Sequence, residues 1–123
     1  MRVFLTKDFA RFARFARKER IKPDVLHEAI DRARRGLIDA DLGGGIIKQR
    51  VARPGQGRSR SYRTIIAYRS AARSVFMYGF MKSERDNIND QELTVIKRAA
   101  QVLMGMTDNE IETALAAKEL TEI

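Results

Sequence analysis

Between Lys48 and Arg85 the sequence carries ten basic side chains and one acid. The bases are Lys48, Arg50, Arg53, Arg58, Arg60, Arg63, Arg69, Arg73, Lys82 and Arg85, and the acid is Glu84. Tyr62, Tyr68, Phe76, Tyr78 and Phe80 are interleaved with them. Cations with aromatic neighbours suit a phosphodiester backbone and stacked, unpaired bases. A solvated basic surface is the bland alternative, but ordinary protein surfaces mix charges of both signs.

The same block holds the parts of a reaction. Cleavage of RNA through its own 2′-hydroxyl needs a base, a stabiliser for the crowded phosphate and an acid for the leaving oxygen. Arginine cannot be the base, because it does not deprotonate in proteins, but it can hold a phosphate bidentately. The groups able to change protonation are Lys48, Lys82, Glu84 and the tyrosines. This elimination nominates Lys48 and Lys82 for proton chemistry, although a purely binding patch would carry the same residues.

Other chemistries find no purchase. His27 is the single histidine and there is no cysteine, which argues against a zinc centre, a histidine triad and a disulfide framework. Around Gly57-Arg58-Ser59 the lysine of a phosphate-cradling loop is missing, and Ala52 stands where its upstream glycine would be. Gly55-Gln56-Gly57 is followed by Arg60 where a dinucleotide fingerprint needs glycine. No metal and no cofactor are expected. No apolar run approaches the ~18 residues of a membrane span. The opening MRVFLTKDF meets Lys7 and Asp8 too soon for a secretory signal, so a cytoplasmic protein without membrane contact is expected.

Charge and periodicity define the elements that would position the basic block. The chain has 123 residues and a net charge of +8, a length that fits one domain. Residues 1–47 carry eleven bases and seven acids, residues 48–85 ten and one, and residues 86–123 three and eight. Residues 2–6 are β-prone, and Thr6 can cap the helix after it. The repeat FARFARFAR at 9–17 predicts an amphipathic helix with Phe9, Phe12 and Phe15 inward and Arg11, Arg14 and Arg17 outward. That arginine stripe is a solvated face or a contact for an acidic partner or the ribosome. Pro23 starts a second helix, with Leu26, Ala29, Ile30, Ala33 and Leu37 at helical spacing, and Gly36 and Gly43–Gly45 stop it.

The period then changes. Residues 46–52, 62–69 and 74–80 read as strands, with Lys48, Arg50 and Ala52 sharing one face of the first. Arg63 falls on the same side of its strand as Ile65 and Ala67, which leaves the polarity of that face ambiguous. Asn89 with Glu92, and Thr107 with Glu110, are capping boxes for two further helices. Ile88 with Leu93, and Met106 with Ile111, are their hydrophobic staples. The order β-α-α-β-β-β-α-α is an α+β protein with a mostly antiparallel sheet.

Two segments make the chain familiar: LIDADLGGGIIKQRVARPGQGRSRSYR at 37–63 and YGFMKSERDNI at 78–88. With them it resembles the RelE family of bacterial type II toxins, in the branch close to HigB-like host-inhibition toxins. The resemblance implies a compact RelE-like domain over 1–123, with a curved sheet, an N-terminal helical hairpin and C-terminal helices. It implies a ribosome-dependent messenger-RNA endoribonuclease that cuts through the 2′-hydroxyl without metal and blocks translation. The implied partners are mRNA, the ribosome and a cognate helix-turn-helix antitoxin, with operator DNA reached only through the antitoxin.

Carried over by motif, Arg63 would stabilise the phosphate, Lys48 would act as base or position the substrate, and Lys82 would stabilise charge or transfer a proton. Arg50 and Arg53 would hold the RNA backbone, Arg58 and Arg60 would reach ribosomal RNA, and Arg85 completes the RNA-binding set. Some members use a tyrosine near the C-terminus, and no tyrosine follows Tyr78 here. Tyr78 either takes its place or is a strand aromatic. Two other classes compete: a ParE-like gyrase inhibitor on the same fold, for which the lysine-bearing strand is unnecessary, and a non-catalytic RNA-binding module.

Overall fold

The computed structural model describes residues 1–7, 11–53, 61–70, 72–85 and 87–123. Its elements are β1 (Arg2–Thr6), α1 (Phe12–Lys18), α2 (Pro23–Arg34), β2 (Ala40–Gly43), β3 (Ile46–Val51), β4 (Tyr62–Ser70), β5 (Arg73–Met81), α3 (Asp90–Gly105), α4 (Asp108–Ala116) and β6 (Leu120–Glu122). The six strands form one sheet in the order β2-β3-β4-β5-β1-β6. Only the β1–β5 pairing is parallel. The architecture is therefore the expected α+β one, with β2 and β6 added at the edges.

Helices α2, α3 and α4 begin where the sequence marks them, whereas α1 begins at Phe12, inside the 9–17 repeat, after Arg11 at φ 51°. Pro23 opens α2, and both capping boxes are formed, Asn89 with Glu92 and Thr107 with Glu110. Thr6 caps at a distance: its hydroxyl accepts the Phe12 N–H at 3.2 Å. Helix α2 stops at Arg34, and Gly36 at φ 80° turns the chain. Leu37 therefore falls beyond the helix and is 57% exposed, not part of the apolar stripe expected of it. Phe9 lies outside the described residues.

Two cores sandwich the sheet. On one face α1 and α2 bury Phe12, Ala16, Leu26, Ala29, Ile30 and Ala33 against Ile47, Val51, Tyr62, Ile66 and Phe76. On the other α3 and α4 bury Ile96, Ala100, Ile111 and Ala114 against Ile46, Ile65, Ala67, Val75 and Met77. Arg73 ties the α3–α4 junction to the sheet, donating from Nη1 to the carbonyls of Leu103 at 2.8 Å and Met106 at 3.0 Å. Arg2 does the same for the C-terminus through Glu112 and Glu122.

Gly79 allows the closest approach. A Cβ there would lie 2.5 Å from the Phe15 ring, so α1 can seat Phe12 and Phe15 on β5 only because the side chain is absent.

Candidate functional site

The pairing register explains how one sheet face changes character. Across β3, β4 and β5 the rows facing α3 are Ile46–Ala67–Val75, then Lys48–Ile65–Tyr78, then Arg50–Arg63–Phe80. Two steps along the strands convert an apolar floor under α3 into a basic and aromatic surface. This resolves the ambiguity at Arg63: it shares a face with Ile65 and Ala67, and those two lie in the core while Arg63 lies beyond it.

Tyr78 reaches this face through a β-bulge. The register shifts between Ile65 and Ile66, so Ile65 pairs with Tyr78 while Ile66 pairs with Phe76. The extra residue, Met77, sends Tyr78 to the α3 side instead of leaving it on the Phe76 side. There its ring centroid lies 6.0 Å from that of Phe80.

Arg63 is buried, with 5% of its surface exposed. Nη1 donates to Ser61 Oγ at 2.6 Å and to the Ser61 carbonyl at 3.3 Å. Among the described residues no carboxylate pairs with it. Its cross-strand neighbour Arg50 does have one: Nε lies 3.3 Å from Asp39 Oδ1, shielded from solvent and without an aligned hydrogen bond. Asp39 Oδ2 is 4.0 Å from Lys48 Nζ. Asp39 is itself held by its backbone N–H, which donates to the Lys48 carbonyl at 3.1 Å. One carboxylate thus fixes both strand cations, and a groove of about 780 Å³ beside α2 opens onto Asp39, Arg50 and Ser61.

Arg85 forms the other wall. Its guanidinium sits 6.0 Å from the Tyr78 ring centroid and 5.8 Å from that of Phe80. Nη1 donates to Glu92 Oε2 at 2.9 Å and to the Tyr78 hydroxyl at 3.3 Å, while Nε donates to the Asn87 carbonyl at 3.0 Å. The Arg85 pair and the Asn89 N–H hold the Glu92 carboxyl below the usual carboxylate range, and Glu92 in turn raises Arg85. Arg85 is therefore engaged inside the protein.

The remaining expected residues are less convergent. Lys82 is exposed in the turn after β5, two residues past Phe80. Arg53 does not join the cluster. Its guanidinium stacks 5.5 Å from the ring centroid of Tyr62, on the α1 side of the sheet. Burial, with the Glu19 carboxylate beyond it, pushes the Tyr62 hydroxyl up. Arg58 and Arg60 lie outside the described residues.

Sequence reasoning missed Asp39, Ser61 and the second role of Glu92. Asp39 becomes visible only through β2, a four-residue strand too short to read from composition. Glu92 was legible as a capping residue, and nothing local points it at Arg85. Among the described residues no group of histidine, cysteine and carboxylate side chains is arranged to hold a metal.

A basic surface of this kind on an α+β sheet is found on many proteins, and comparison decides among them. The family model described as the RelE toxin of the RelE/RelB toxin-antitoxin system matches residues 1–123. The chain belongs to the RelE toxin family. No curated protein and no solved structure matches it. As a RelE toxin it is one half of a toxin-antitoxin system, and the family description itself implies a cognate antitoxin. No described helix is long and apolar enough to cross a membrane.

Proposed function

We propose that this RelE toxin is a ribosome-dependent messenger-RNA endoribonuclease that arrests translation in the cytoplasm. The observation that carries the reading is Arg63, a buried cation paired only with neutral groups among the described residues and flanked across the sheet by Arg50. A buried charge without a counter-ion is costly, and a substrate phosphate supplies the missing anion.

In this reading the scissile phosphate sits on Arg63, whose guanidinium neutralises the charge that builds on the non-bridging oxygens. Lys48 takes the 2′-hydroxyl proton or orients that hydroxyl, and the 2′-oxygen attacks phosphorus. The bond to the 5′-oxygen breaks, leaving a 2′,3′-cyclic phosphate. The departing oxygen takes a proton from Lys82 or Tyr78. Asp39 keeps Lys48 and Arg50 aimed at one spot. Arg50 holds the RNA backbone, Arg58 and Arg60 extend that hold, and Arg85 supports the aromatic wall on which a base stacks.

Growth arrest and reporter-mRNA cleavage on translating ribosomes test the proposal together. Wild-type protein is expected to do both, and Arg63→Ala and Lys48→Ala to do neither while remaining folded. Ribosome binding without any cut would replace the nuclease with a non-catalytic RNA-binding module. DNA damage in place of translation arrest would replace it with a gyrase poison.

A further inference from the structure

The proposed reaction needs a group that accepts the 2′-hydroxyl proton, and the basic cluster offers few. Arginine does not deprotonate in proteins, which removes Arg50 and Arg63. A lysine takes up a proton only after losing its own, and Lys48 stands as the cation of an ion pair, with Nζ 4.0 Å from Asp39 Oδ2. Among the carboxylates, Glu84 is exposed in the turn after β5. Glu92 is engaged by Arg85 and by the Asn89 N–H, each at 2.9 Å. Asp39 remains.

Asp39 differs from the carboxylates that hold the fold together. Glu122 accepts two hydrogen bonds of 2.8 Å from Arg2. Neither cation closes on Asp39 in that way. Lys48 Nζ, at 4.0 Å, is beyond hydrogen-bond reach, and Arg50 Nε, at 3.3 Å from Oδ1, makes no aligned bond. The carboxylate therefore keeps lone pairs for a substrate, although only 19% of its side chain is exposed. It lines the groove that reaches Arg50 and Ser61, and Ser61 holds Arg63. Helix α2 presents Asp24, Glu28 and Arg32 to the same groove. Arg32 is occupied there, donating to Glu28 at 2.8 Å and to the Arg50 carbonyl at 2.6 Å.

We infer that Asp39 is the general base of the cleavage, with Lys48 as the ammonium that orients the 2′-hydroxyl. The inference rests on the proposed function and decides which residue takes the proton. An Asp39 oxygen accepts the hydroxyl proton as the 2′-oxygen bonds to phosphorus. The bond to the 5′-oxygen breaks, and that oxygen takes a proton from the acid, Lys82 or Tyr78. Exchange with water returns base and acid to their starting forms.

The test is single-turnover mRNA cleavage on programmed ribosomes by the parent, Lys48→Arg and Asp39→Asn, with thermal unfolding alongside. Carboxylates are ordinarily ionised between about pH 6 and 8, whereas the free-base fraction of a lysine rises about tenfold per unit there. Parent and Lys48→Arg rates are expected to stay nearly level across that range. Lys48→Arg should keep cutting, at a loss below about 10²-fold, because arginine retains the charge and cannot be the base. Folded Asp39→Asn should lose roughly 10²- to 10⁴-fold, the share typical of a positioned base. Should Asp39→Asn fail to fold, the level profile of Lys48→Arg carries the decision. A parent rate climbing about tenfold per pH unit, a folded Asp39→Asn that keeps its rate, or an inactive Lys48→Arg would overturn the assignment and leave the nuclease standing. No cut by the parent would remove the nuclease and its base together.

Discussion

Among the described residues Arg63 has no carboxylate beside it, and in the proposed reading the substrate phosphate is its anion. Its guanidinium is buried, and Ser61 offers it neutral oxygens. Replacing it with methionine, of similar reach but uncharged, is therefore expected to leave stability unchanged or raise it by about 1–2 kcal/mol. Cleavage should be lost at the same time. Denaturant unfolding beside a ribosome assay checks both, and a marked loss of stability would show that Arg63 is structural. Glu92 belongs to the same scale. Its folded carboxyl is held below the ordinary value of 4.5, so its contribution is present above that value and lost as pH falls through the depressed one. Glu92→Gln should accordingly flatten the acid limb of a stability–pH curve below about 4.5. Lys48, Arg63 and Lys82 could be nominated from residue chemistry and motif, because cations and the absence of a histidine pair are visible in a string of letters. Asp39 could not, since its role exists only once β2 folds beside β3.

At the level of elements, the bulge in β5 and the bare backbone at Gly79 decide where the aromatics go. Without the extra residue at Met77, Tyr78 would share the α1 side with Phe76. One residue on, Gly79 lies under the rings of Phe15 and Phe12. Gly79→Ala is expected to cost about 1–3 kcal/mol by overpacking, and to shift α1 and the neighbouring Tyr78 and Phe80. Unfolding measurements, with loss of cleavage exceeding that of stability, would show both effects. Helix starts were the most legible elements, because a capping box with its staple states a boundary in four or five residues. Strands β2 and β6 were the least legible. Each is only a few residues long, and each exists because a neighbouring strand offers it a free edge.

For the whole molecule, charge is sorted by segment of the chain. The basic segment from 48 to 85 supplies the rows beyond α3, while the acidic segment from 86 to 123 forms α3, α4 and β6. The latter pin the sheet through Arg73, Arg85 and Arg2. Part of the basic block is thus structural: Arg73 and Arg85 hold the C-terminal helices, which composition alone could not reveal. The strand cations Lys48, Arg50 and Arg63 lie together on one sheet face, with Arg63 buried. Single-turnover cleavage of mRNA on programmed ribosomes, with the product ends determined, tests this grouping most directly. Wild-type protein is expected to give a 2′,3′-cyclic phosphate and a 5′-hydroxyl. Folded Arg63→Ala should cut roughly 10²- to 10³-fold more slowly, the loss typical of removing one stabiliser of developing charge. Wild-type rates in folded Arg63→Ala, or no cut by the wild-type toxin, would contradict the assignment.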